Sequence, residues 1–85
     1  MEATLYKATG EEQKLDLPKE DNLSTLQKYV GGWIQVVPAV NMTGYLLVVN
    51  EEGLLMNLKP NILASLLAGQ SIVGDAILMK SEFLQ

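Results

Sequence analysis

Apolar and polar positions alternate with a strand period in the first part of the chain. In residues 3–8, ATLYKA, Leu5 falls on one face and Tyr6 on the other. After a turn at Thr9–Glu12, QKLDL (Gln13–Leu17) alternates again, with Leu15 and Leu17 on one side. The two stretches predict an N-terminal hairpin, which Pro18 ends because it has no N–H to donate. The period then changes. Leu23, Leu26 and Val30 recur at helical spacing and predict a shared apolar face, with Asp21 or Asn22 as the cap and Gly31–Gly32 as the stop. So short a helix does not persist alone in water and must dock on a sheet.

Two more strands follow. Trp33–Val40 puts Ile34 and Val36 on one face and Trp33, Gln35 and Val37 on the other, with Pro38 confining its end to an edge or bulge. Tyr45–Val49 is apolar on both faces, the mark of a central strand. Asn50-Glu51-Glu52-Gly53 carries the residue preferences of a type I turn whose glycine goes left-handed, and LLMNL after it can pair back on YLLVV. Asn61 caps a helix over Ile62–Ala68 whose apolar circumference predicts deep burial. SIVGDAILMK is the last strand, with Gly74 marking a bulge or the close approach of another backbone. The order predicts one α+β domain over residues 1–85, with 81–85 as a frayed tail. Its sheet is mixed, one main helix packs on one face, and the layout is β-grasp (ubiquitin-like), ββαββ(α)β. A ferredoxin-like sheet is the alternative if residues 13–17 do not pair.

Composition narrows the chemistry. The 85 residues include no cysteine, no histidine and no arginine; all six basic residues are lysine, and the net charge is −4. No thiolate or zinc–sulfur site is available, nor the usual neutral-pH base. Planar, bidentate recognition of phosphate or guanine normally relies on arginine. An acidic chain without a basic stripe argues against nucleic acid. The apolar runs fall short of the ~20 residues a membrane span needs. The start, MEATLYKATGEE, lacks a charged and then apolar leader. These features predict a soluble cytoplasmic protein with no cofactor and no metal.

Few residues are candidates for chemistry. Glu51 and Glu52 sit on a turn tip, away from the contrasting environments an acid–base pair requires. Asp75 is the one acid in a predicted strand; its expected role is to point outward or to bond a backbone amide at the Gly74 bulge. No nucleophile-with-base spacing and no Asp-rich loop appears. Tyr29, Trp33 and Tyr45 are candidates for a contact surface, since aromatics are enriched in interface cores. The Gly31–Gly32 amides and the Asn61 helix start are candidates for holding an anion.

Three stretches resemble a known family: LQKYVGGWIQVVP, LLVVNEEGLLMNLKPNILASLLAG and IVGDAIL. They are similar to a family of bacterial, archaeal and phage proteins described only as a domain of unknown function, number three-eight-four-six in that series. The likeness spans Leu26 to Met79, and Trp33 stands where a tyrosine is common. It implies fold boundaries and a phage or other mobile-element setting, and no activity. The expected function is therefore a non-enzymatic accessory protein that binds a host or self protein, a homodimer by sheet extension being one form. The alternative is a protein that binds or sequesters a small, nucleotide-like ligand.

Overall fold

The computed structural model describes residues 1–83; Leu84 and Gln85, part of the expected tail, lie outside the described residues. The elements are β1 (Glu2–Tyr6), β2 (Glu12–Asp16), α1 (Leu23–Val30), β3 (Ile34–Pro38), β4 (Tyr45–Asn50), α2 (Ile62–Ala68) and β5 (Ala76–Lys80). A 3-10 turn at Ser81–Phe83 follows, and Phe83 packs against the core. This is a small α+β fold in the expected ββαββ(α)β order. The strands lie in the order β2-β1-β5-β4-β3.

Every neighbouring pair is antiparallel, not mixed as the sequence predicts. The link between β4 and β5 is the reason. Loop and α2 return the chain to the end of the sheet it has just left, so β5 enters antiparallel to β4 at Val48↔Ile77 and to β1 at Tyr6↔Ala76.

Alternation then builds two apolar layers. On one face Ala3, Leu5, Leu15, Leu46, Val48, Ile77 and Met79 meet Leu26 and Val30 of α1. On the other Val37, Leu47, Val49, Ala76 and Leu78 meet Ala64 and Ala68 of α2. The main helix thus covers one face, and the second helix lies on the opposite one. β4 and β5 are buried on both sides, as the unbroken apolar run of β4 predicts.

Several local expectations change. Asn22 takes the cap position of α1, but its side chain caps nothing; its carbonyl accepts from the Leu26 amide at 2.9 Å. Leu23 is half exposed, and Leu26 and Val30 alone anchor the helix. LLMNL forms consecutive turns, not a return strand, because β3 and β5 already occupy both edges of β4. Gly53 is not left-handed; a Cβ there would lie 2.8 Å from Val73 Cγ2, so it is close packing that favours glycine. Gly74 has both constraints, φ of +79° and Leu58 Cδ1 at 2.7 Å from a built Cβ. The deep burial expected of α2 is not observed, since Ile62 is 70% and Leu66 65% exposed. Its two small alanines let the backbone sit close on the sheet and leave the larger side chains outside.

Candidate functional site

Two buried asparagines organise the end of the sheet where β1 and β4 finish and β5 begins. Asn61 is 1% exposed. Its Nδ2 donates to the carbonyls of Tyr6 (2.8 Å) and Gly74 (2.9 Å), and its Oδ1 accepts from the Ala64 amide (3.1 Å). It therefore caps α2, as predicted, and also ties that helix to β1 and to the approach to β5. Ser65 adds to the knot: its hydroxyl donates to the Asn61 carbonyl at 2.6 Å and accepts from the Ile72 amide at 2.8 Å. Asp75 lies beside this knot, before β5 and not within it. Its Oδ1 accepts from the Ala8 amide at 2.9 Å, a backbone partner 67 positions away and not one at the Gly74 bulge. Asn61 and Asp75 are thus neighbours in a structural clamp, and the Asn61 side chain already occupies the start of α2.

Asn50 does the same for α1. Its Nδ2 donates to the Val30 carbonyl at 3.1 Å and lies 3.4 Å from Met56 Sδ, while its Oδ1 accepts from the Glu52 amide at 2.8 Å. A Cβ on Gly32 would come within 3.2 Å of that Nδ2, so glycine leaves the space the asparagine fills. The Glu51 amide donates to the Trp33 carbonyl at 2.8 Å. Gly31, Gly32 and Trp33 are therefore brought together with the turn at Asn50–Glu52, while Tyr29 lies on the last turn of α1. Trp33 is 65% exposed, and Leu54 and Leu55 are 83% and 85% exposed. The sequence gives no sign of these leucines as surface residues, because LLMNL reads as half of a hairpin. Glu51 and Glu52 are exposed on the same turn.

Tyr45 is at the other end of β4, away from the other predicted residues. It borders an open groove of about 990 Å³ on the α2 face, where α2 leaves β1 and β2 uncovered. Glu2, Thr4, Tyr6, Glu12, Lys14 and Asp16 form its strand floor, and Met42, Tyr45, Lys80 and Phe83 close one side. Lys80 Nζ stands 6.0 Å from the centre of the Phe83 ring. Sequence reasoning misses this groove except for Tyr45. The available signal is the alternation that sets Tyr6 opposite Leu5.

Burial, and then the Glu12 carboxylate paired across the strands, raise the Tyr6 phenol above its ordinary 10.0. A raised value in the folded state means that the fold favours the protonated ring. That contribution is complete below about pH 10 and is lost as the pH climbs through the folded-state value. In an alkaline absorbance titration, one of the three tyrosines should ionise later than a free phenol. Glu12→Gln should bring that midpoint part of the way back, because burial remains. An unmoved midpoint would show that the pair does not interact.

Among the described residues, no group of three acids is placed to hold a metal ion, and no helix is long and apolar enough to cross a membrane. The protein is thus a small α+β chain with one antiparallel sheet, a helix on each face and an open half-face. Its family can be named. The model of the domain of unknown function DUF3846 matches residues 1–82, and the chain belongs to that family. No curated protein and no solved structure matches it.

Proposed function

We propose that this chain is a non-enzymatic, cytoplasmic accessory protein of a phage or other mobile element, acting by binding another protein. The observation that carries this reading is the ordered display of Leu54, Leu55 and Met56, each more than half exposed on one loop whose first residue, Glu51, is bonded to the Trp33 carbonyl. Large apolar side chains clustered on a surface mark interaction sites. Fully burying one leucine is worth about 1.5–3 kcal/mol, so leaving two this exposed forgoes that gain until a partner covers them. The loop that carries them is not slack. The Met56 amide donates to the Glu52 carbonyl at 2.9 Å, the Leu58 amide to the Gly53 carbonyl at 3.0 Å, and Gly53 packs under Val73. A preordered loop loses little conformational freedom on binding.

The test is capture from a bacterial lysate by the tagged full chain, compared with a Leu54→Ser/Leu55→Ser variant. Both side chains touch mainly water, so the variant should keep the wild-type melting temperature and lose the captured protein. Equal capture by both chains, or none by the wild type, counts against the reading. The groove favours a second reading, a small nucleotide-like ligand held by Lys14 and Lys80 between Tyr6, Tyr45 and Phe83. A rise in melting temperature with such a compound, abolished by Lys80→Ala, would support it over the first.

A further inference from the structure

The two edges of the sheet are built differently, and the difference can be read from hydrogen-bond parity. In an antiparallel pair, alternate residues turn their N–H and C=O toward the partner strand and the others turn them away. At β3 the Glu51 amide donates to the Trp33 carbonyl and the Ala39 amide to the Tyr45 carbonyl. Trp33, Gln35, Val37 and Ala39 therefore face β4, and Ile34, Val36 and Pro38 turn their backbone groups outward. At β2 the Lys7 amide donates to the Glu11 carbonyl and the Leu17 amide to the Met1 carbonyl. The outward residues there are Glu12, Lys14 and Asp16.

One edge is thus guarded by a charge at every outward position, the usual defence against strand addition. The other has none. Between Lys28 and Glu51 the sequence contains no charged residue at all. Pro38 removes one outward N–H, and Ile34 and Val36 keep theirs along with their carbonyls.

We infer that β3 is a self-pairing edge: a second copy of this chain adds antiparallel to it, with a two-fold axis at Gln35. This register is the self-complementary one. Ile34 of each copy exchanges N–H···O bonds with Val36 of the other, and Pro38, unable to donate, falls beyond the paired core. Gln35 meets its own copy as a non-hydrogen-bonded pair, where side chains lie closest. Trp33 then stands opposite Val37 of the other copy. A two-fold arrangement uses the same patch on both chains. Charge favours this edge for self-contact, because two chains of net charge −4 meet there without opposing any like charges. The inference names one partner for the protein-binding reading; its edge adjoins the Leu54–Met56 loop only at Trp33, whose carbonyl accepts from the Glu51 amide.

The chain has no native cysteine, so a single introduced thiol reports one contact. Gln35→Cys should form a disulfide-linked dimer under mild oxidation, since the spacing of a non-hydrogen-bonded pair, about 4.5 Å, suits a disulfide. Gln13→Cys, the same exchange on the guarded edge, should not. In sedimentation the wild type should be a dimer. Gln35→Glu and Gln35→Lys should each weaken association at least tenfold, and an equimolar mixture of the two should restore it. The inference is overturned by a wild type that sediments as a monomer, by cross-linking no faster for Gln35→Cys than for Gln13→Cys, or by a mixture that stays monomeric. Cross-linking of Gln35→Cys to a foreign protein alone would also overturn it, in favour of strand addition by another partner. A monomer that still captures a protein through Leu54 and Leu55 leaves the binding reading standing, which keeps the two failures apart.

Discussion

Replacing Asn61 with alanine is expected to destabilise the fold by about 3–5 kcal/mol, measured by urea unfolding. The side chain satisfies three backbone groups on three separate segments, at Tyr6, Gly74 and Ala64. Alanine leaves all of them without that partner, the Gly74 and Ala64 groups in buried positions and the Tyr6 carbonyl in a partly buried one. Each buried carbonyl that loses its donor costs about 1–3 kcal/mol, and loss of the cap adds about 1 kcal/mol. Small domains hold only about 5–15 kcal/mol in all, so the variant should sit near the edge of folding at physiological temperature. Asn61→Asp separates the two functions of the side chain. The carboxylate keeps the acceptor for Ala64 but sets negative oxygen against the Tyr6 and Gly74 carbonyls. Its pKa should be raised in the folded state, so the variant should gain stability as the pH falls, when the protonated carboxyl regains one donor. Losses below about 1 kcal/mol in Asn61→Ala would show that water or a relaxed backbone satisfies these carbonyls.

Asn61 also shows why some of this fold is legible in the sequence and some is not. Its capping role is local: an asparagine before an apolar run, with glycine closing the run, specifies the Ile62–Ala68 helix without knowledge of anything distant. Its bond to Tyr6 spans 55 positions and has no local signature. The same division runs through the chain. Strand faces follow from alternation, so Leu5 against Tyr6 and Ile34 against Trp33 can be assigned early. Which helix covers which half of a face depends on the strand order 2-1-5-4-3, and no short pattern encodes it. The burial expected of Ile62 and Leu66 fails for that reason: an apolar circumference reports how much of a helix can be buried, and the sheet beneath decides how much is.

The candidate surfaces follow the same logic. Tyr29, Gly31, Gly32 and Trp33 are contiguous and stay together. Tyr45 belongs to the groove, and the groove exists because α2 ends its cover before β1 and β2. Asn61 and Asp75 stand out in sequence as polar residues in apolar surroundings, and their partners turn out to be backbone. Outward parity on β3 and β2 can be assigned only once two interstrand bonds are known, yet it then follows without further information.

Leu26→Ala is expected to have the other large effect. Leu26 is fully buried, and with Val30 it is the only buried anchor of an eight-residue helix. Truncating a buried leucine costs about 2–5 kcal/mol, depending on how far the site collapses. Collapse is resisted here because the facing residues, Leu5, Val48 and Ile77, belong to strands fixed on both sides. The consequence reaches the proposed binding corner. α1 ends at Gly31, whose amide donates to the Gln27 carbonyl at 2.8 Å, and Asn50 holds the Val30 carbonyl. A helix loosened at Leu26 pulls on that bond and frees the segment that presents Trp33. The single tryptophan makes this measurable, since its fluorescence should respond at lower denaturant than the far-ultraviolet signal of the sheet in Leu26→Ala, while the two coincide in the wild type. Leu23→Ala, three positions earlier on a half-exposed side chain, should cost less than about 1 kcal/mol and keep the transitions together. Equal losses at the two leucines would mean that α1 is held by its capping bonds and not by its apolar anchor.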